Sequence, residues 1–158
     1  MDFEAIYNEH KQQVFRICMG YLNDQEYARD LTQEIFIAIW RSLPSFRQES
    51  KLSTWIFRIA TNHCLRAIEK SKRMPTTELP LQLEDVYEEP IEEQLACLYK
   101  CIAELPQMER IIISLVLEDL PQTEIASIIG IEPTNTRVKI HRIKAKLTEK
   151  FKKYGQFG

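Results

Sequence analysis

Glycine is scarce in this chain of 158 residues, with four in all. Nowhere do alternating apolar and polar residues run between glycine turns, which excludes a sandwich or barrel of short strands. No apolar run approaches the roughly 18 residues that cross a bilayer. The opening MDFEAIYNEHK is acidic and polar, unlike a secretory leader, so a cytoplasmic setting without membrane insertion is expected. The four cysteines, Cys18, Cys64, Cys97 and Cys101, form no CxxC pair, and a cytosolic setting argues against disulfides. They are expected as thiols in apolar cores. His63 with Cys64, and Cys97 with Cys101 one helical turn on, could bind a metal, but neither has a second pair at ligand spacing nearby. A phosphate-cradling glycine loop is missing, and His10, His63 and His141 are too scattered to serve a nucleophile. These absences leave an enzyme nothing to work with, and neither cofactor nor metal is expected.

The remaining composition, 44% hydrophobic and 28% charged, is that of a folded helical protein. The net charge of −2 hides an uneven distribution. Residues 74–93 carry seven acids, three prolines and no base, whereas residues 121–158 carry eight bases against three acids. The first composition suits a solvated linker, so the expected fold is all-α, two small helical domains joined by a flexible acidic linker. The boundaries fall at 1–73, 74–93 and 94–158.

In the front part, periodicity predicts a helix from Phe3 to Tyr21 with Ile6, Val14, Ile17 and Cys18 on its core side. Asn23 and Glu26 have capping-box spacing and open a second helix through Arg41. Its stretch from Ile35 to Trp40 is apolar all round, so it is either the central helix or keeps one side for a partner. Ser53 or Thr54 caps a third helix. In the rear part, helices are predicted from Ile91 to Glu104, from Pro106 and from Pro121. Gly130 ends the last of these, and Thr134 or Asn135 caps a final helix with Ile140, Ile143, Leu147 and Phe151 as its buried stripe. The short turn GIEP between the last two helices makes a helix-turn-helix.

Two polar constellations point to nucleic acid. On the final helix, Arg137, Lys139, His141, Arg142, Lys144 and Lys146 lie off the apolar stripe, preceded by the small polar Thr134, Asn135 and Thr136, the layout of a recognition helix. Arg137 and Asn135 are the leading base readers, since Arg pairs with guanine and Asn with adenine. On the third helix, Arg58, Asn62, Arg66, Lys70 and Arg73 recur at three- and four-residue intervals on one face. Phe46, Arg47, Lys51 and Trp55 stand just ahead of it, and basic groups interleaved with aromatics suit single-stranded nucleic acid. Core burial is the competing expectation for at least two of Phe46, Trp55 and Phe57.

Taken in order, these segments resemble the extracytoplasmic function (ECF) group of bacterial RNA polymerase sigma factors over nearly the whole chain. Asp30-Leu31-Thr32-Gln33-Glu34-Ile35-Phe36 with Trp40 resembles the family's D-x-x-Q-E-x-F clamp-docking segment. Phe46-Arg47 through Ser53-Thr54-Trp55-Ile56-Phe57-Arg58-Ile59-Ala60-Thr61-Asn62 resembles the segment that binds and melts the minus-10 element. Leu105-Pro106, Glu109-Arg110, Glu124-Ile125-Ala126 and Gly130-Ile131 resemble the domain that reads the minus-35 element. The chain departs from the family at Thr134 to Ile140, TNTRVKI, where G-T-V-K-S-R-L is frequent, and at Pro121-Gln122-Thr123.

The resemblance implies a promoter-specificity subunit without catalysis of its own. Its partners would be the clamp and flap of core RNA polymerase, promoter DNA both double- and single-stranded, and an anti-sigma factor. Polymerase contacts would come from Asp30, Gln33, Glu34, Ile37 and Arg41. Minus-10 contacts would come from Phe46, Arg47, Lys51, Ser53, Trp55, Arg58, Asn62, Arg66, Lys70 and Arg73. Minus-35 contacts would come from Thr134, Asn135, Arg137, Val138, Lys139, His141 and Arg142. The acidic linker would follow the polymerase channel without holding nucleic acid. The alternative is a stand-alone helix-turn-helix repressor with a ligand-binding or dimerising front domain.

Overall fold

The computed structural model describes residues 2–67 and 91–154. Lys70, Arg73 and most of the acidic segment lie outside them. The described residues are helical throughout, with no strand: α1 (Phe3–Leu22), α2 (Gln25–Ser42), a short 3-10 turn (Leu43–Ser45), α3 (Leu52–Ala67), α4 (Glu93–Ala103), α5 (Gln107–Leu117), α6 (Gln122–Ile129) and α7 (Pro133–Tyr154).

Local chemistry sets most of the ends, with shifts from the sequence expectation that have physical reasons. Asp24, not Asn23, caps α2: its carboxylate accepts the Tyr27 amide at 3.0 Å. Asn23 is instead the left-handed residue that closes α1, at φ 50°, with its amide on Met19 O at 2.8 Å. Asparagine tolerates that conformation, which leaves the extended Asp24 to serve the next helix. Neither Ser53 nor Thr54 is a cap, because α3 begins at Leu52 and places both hydroxyls in its first turn. Likewise α7 begins at Pro133, so Thr134 and Asn135 sit inside its first turn. Pro106 and Pro121 immediately precede α5 and α6. Gly130 ends α6 at φ 83°, as its position in the sequence requires.

In the front helices, α2 packs on α1 and α3. Ile6, Val14, Ile17 and Cys18 of α1 meet Leu31, Ile35, Phe36 and Ile39 of α2 and Ile56, Phe57 and Ala60 of α3 in one apolar core. Phe36 lies edge-on to Phe3 and Tyr7, with ring centroids 6.4 and 4.9 Å away. Trp40 stays 40% exposed, so the apolar girth of α2 exceeds what its two neighbours cover.

In the rear helices the central element is α5. Its residues Ile111 to Leu115 are all buried, which a short helix apolar all round achieves only with cover on every side. That cover comes from α1, α3, α4, α6 and α7. Ile140, Ile143 and Leu147 of α7 are buried as the stripe predicts, and Phe151 is partly so.

The front and rear cores are continuous, because α1 packs against α4 and α5 while α3 packs against α5 and α6. Gly20 lets α1 lie close against α5: a Cβ there would fall 2.1 Å from Ser114 Oγ. A helical glycine costs about 0.5–1 kcal/mol against alanine, and here it lets α1 and α5 touch.

Candidate nucleic-acid and polymerase interfaces

The residues Asp30, Gln33, Glu34, Ile37 and Arg41 recur at three- and four-residue spacing and therefore share one face of α2. Asp30, Gln33 and Glu34 are half-buried and Arg41 is exposed. Ile37 is 8% exposed yet lies outside the continuous core. The opposite face carries Leu31, Ile35 and Ile39 into the core, so α2 is clamped on one side and presents a mixed polar and apolar strip on the other.

Where the chain leaves α2, the 3-10 turn and the loop through Lys51 bring Phe46 onto Trp55, with ring centroids 4.8 Å apart and planes tilted by 35°. Gln48 takes a left-handed φ of 58° in that loop. Phe3, Trp40, Leu43, Pro44, Phe46 and Gln48 line an open cleft beside it. Of the three aromatics, Phe57 is core at 1% exposure, whereas Phe46 and Trp55 are only partly buried. Arg47, Lys51, Asn62 and Arg66 are exposed around them. Ser53 and Arg58, in contrast, are engaged by α6.

On α7, Thr134, Asn135, Arg137, Val138, Lys139, His141 and Arg142 are all exposed. Arg137, Val138, His141, Arg142 and Lys144 border an open groove with Gln122 at the start of α6. The C-terminal half of the helix has a different task. Lys146 Nζ donates to both carboxylate oxygens of Glu109 at 2.9 Å, and Lys150 Nζ to Glu104 at 3.1 Å. The Tyr154 hydroxyl also donates to Glu104. Tyr154 and Lys150 hold the Glu104 carboxyl below its ordinary range. Lys146, expected with the DNA-facing bases, thus pins α7 to α5.

Three of the four cysteines, Cys18, Cys64 and Cys101, are buried, and Cys97 is partly so. Cys18 and Cys64 face each other across α1 and α3 with sulfurs 4.0 Å apart. That contact and complete burial push the Cys64 thiol well above its ordinary value, and burial, with Cys97 beside it, raises the Cys101 thiol. Among the described residues, no three His, Cys, Asp or Glu side chains gather as a metal site. No helix among them is long and apolar enough to cross a membrane.

The sequence reading missed the side chains that join front to rear. Arg16 donates from Nε and Nη2 to both oxygens of Glu118, at 2.8 and 2.7 Å. The Glu118 hydrogen bond raises the Arg16 guanidinium above its already high value. Burial and the Glu118 carboxylate push the Tyr99 hydroxyl up. Arg110 Nη1 donates to Tyr21 O at 3.0 Å, and its guanidinium lies 4.9 Å from the Tyr21 ring centroid. Ser53 and Thr54 hydroxyls both donate to Glu124 Oε1 at 2.9 Å, and Arg58 Nη2 donates to Ser127 O and Oγ at 3.1 Å. These partners are 69 to 102 residues apart in sequence, so no local pattern could pair them.

The fold and its two separated groups of exposed basic side chains define an all-α protein ending in a helix-turn-helix. Residues 6–74 match sigma-70 region 2, and residues 95–147 match sigma-70 region 4. The ECF RNA polymerase sigma factor SigE of Mycolicibacterium smegmatis is 29% identical over 161 residues. That alignment takes in 96% of this chain and 62% of SigE, so the chain spans about three fifths of that relative's length. SigW of Bacillus subtilis, also an ECF sigma factor, is 28% identical, over 89% of this chain and 83% of its own. Among solved structures, the sigma factor RpoE of Bartonella quintana, in complex with the anti-sigma factor NepR, superposes with a TM-score of 0.73. It has 20% sequence identity and covers 96% of this chain and 97% of its own. CnrH, in complex with the cytosolic domain of CnrY, gives the same TM-score of 0.73 at 19% identity, over 97% of this chain and 89% of its own. The chain belongs to the sigma-70 family, in its ECF group.

Proposed function

We propose that the chain is a promoter-specificity subunit that docks on core bacterial RNA polymerase, reads the minus-35 element and melts the minus-10 element. One observation carries this reading: regions 2 and 4 follow in order, with exposed Arg47, Lys51 and Arg66 in the first and exposed Arg137, Lys139 and Arg142 on α7 in the second. In this reading residues 1–73 and 94–158 are the two working domains and 74–93 the linker between them. The α2 face of Asp30, Gln33, Glu34, Ile37 and Arg41 meets the polymerase clamp, and the rear domain meets the flap. Phe46, Arg47, Lys51, Ser53, Trp55, Arg58, Asn62 and Arg66, continued by Lys70 and Arg73, take the opened strand. Flipping a base costs a few kcal/mol, which stacking on the rings and phosphate contacts offset. Thr134, Asn135, Arg137, Val138, Lys139, His141 and Arg142 enter the major groove. The protein works in the cytoplasm, performs no chemistry itself and is held in check by an anti-sigma factor.

The test is size-exclusion comigration with core RNA polymerase. Stoichiometric comigration is expected; its absence, together with tight duplex binding by the chain alone, would favour a self-sufficient repressor. For the rear domain, Arg137→Ala should cost about 1–3 kcal/mol at the cognate promoter and relax preference at one base pair. Competition binding against single-base promoter variants reads this. Equal weakening on every sequence would make Arg137 a phosphate contact instead.

A further inference from the structure

We infer that Val138 is a specificity residue that reads the C5-methyl group of a thymine in the minus-35 duplex. This inference rests on the promoter-reading role proposed above. Val138 is 42% exposed, whereas Ile140, Ile143 and Leu147 of the same helix are buried. It is also central to its surface. Side chains three and four positions away share its face of α7, and these are Thr134, Asn135, His141 and Arg142, all exposed. The same valine borders the open groove that α7 forms with Gln122 at the start of α6. Whatever seats on this face therefore removes Val138 from water along with the polar groups around it.

The occupant of that face has to meet two demands at once. From Pro133 to Thr148 the helix carries Arg137, Lys139, Arg142, Lys144 and Lys146 and no acid, so the occupant is an anion. At the centre it must offer an apolar group, because a donor or acceptor pressed against Val138 would lose its hydrogen bond to water and gain nothing. On the major-groove edges of the base pairs, the thymine C5-methyl group is the apolar feature that sets one base apart from the others. Valine suits the contact sterically. A β-branched side chain in a helix holds essentially one χ1 rotamer, so its two methyl groups stand at fixed positions and little rotamer freedom is lost on contact. Asn135 and Arg142, one turn to either side, then serve the neighbouring polar edges and phosphates.

A double-mutant cycle between the side chain and the methyl group tests the assignment. A randomised duplex pool is selected with the full chain bound to core RNA polymerase, and the enriched duplex is remade with deoxyuridine in place of each thymidine in turn. That exchange removes the methyl group and keeps the base pair. The parent, Val138→Ser and Val138→Thr are titrated against each duplex by fluorescence anisotropy, beside circular dichroism and polymerase comigration. Position 138 is exposed, so both variants should keep the parent's helix content. In the parent, deoxyuridine at one position of the upstream element is expected to weaken binding about fourfold, the worth of one buried methyl group. Val138→Ser should bind the two duplexes alike, and Val138→Thr, which keeps one γ-methyl, should retain part of the preference. Parent binding indifferent to every methyl group, or a preference that survives in Val138→Ser, would overturn the assignment. Loss of comigration in Val138→Ser would overturn it too, by making Val138 a protein contact. If the parent with polymerase enriches no duplex at all, the promoter-reading role fails and the assignment with it, whereas enrichment without a methyl preference rejects the assignment alone.

Discussion

Replacing Gln33 and Glu34 together by alanine is expected to abolish stoichiometric comigration with core RNA polymerase while leaving the helix content intact. Both residues lie on the α2 strip turned away from the core, and alanine propagates a helix at least as well as Gln or Glu. The loss should therefore fall on binding. Interface residues that matter cost about 2 kcal/mol or more each when truncated, so two together amount to about 4 kcal/mol, close to a thousandfold in affinity. Size exclusion with core polymerase, beside circular dichroism of the free variant, reads both halves of the expectation. Undiminished comigration would remove this face of α2 from the polymerase interface.

The second large effect is on stability. Phe36→Ala should destabilise the chain by about 3–5 kcal/mol, a large part of the 5–15 kcal/mol that holds a domain folded. Phe36 is fully buried and its ring abuts those of Phe3 and Tyr7, so truncation loses transfer energy and two edge-on aromatic contacts at once. It also leaves a cavity that α1, pinned to α4 and α5 on its other side, is poorly placed to fill. Urea unfolding followed by circular dichroism measures the loss, and a cost below about 1.5 kcal/mol would mean that the front core relaxes around the gap. Asp30, Gln33 and Glu34 share the helix with Phe36, so polymerase binding should weaken in step with folding.

Periodicity and helix-terminus chemistry were legible in the sequence because both act within one or two turns. Ile140, Ile143 and Leu147 line the buried side of α7, and Gly130 supplies the left-handed stop that α6 needs. Cap assignments failed by a residue or two wherever neighbouring candidates competed. At Asn23-Asp24 the choice turned on which residue took the left-handed φ. At Ser53-Thr54 the hydroxyls found a carboxylate from another helix instead of their own amides. Lys146 looked like a DNA contact because it lies off the apolar stripe, and only the position of Glu109 on α5 makes it an anchor.

The sequence by itself determined the all-α class, the helix-turn-helix and the polar faces of α2, α3 and the first half of α7, since spacing along a helix decides which side chains share a face. Its motifs, in order, carried the family resemblance. Tertiary structure alone decided that front and rear helices form one continuous core, that Gly20 of α1 packs against Ser114 of α5, and that Ser53, Thr54 and Arg58 are occupied by α6. The physical reason is the range of the interactions. Arg16 and Glu118 are 102 residues apart in the chain and 2.7 Å apart in space, and a pairing of that kind depends on how whole helices pack rather than on any pattern within one of them.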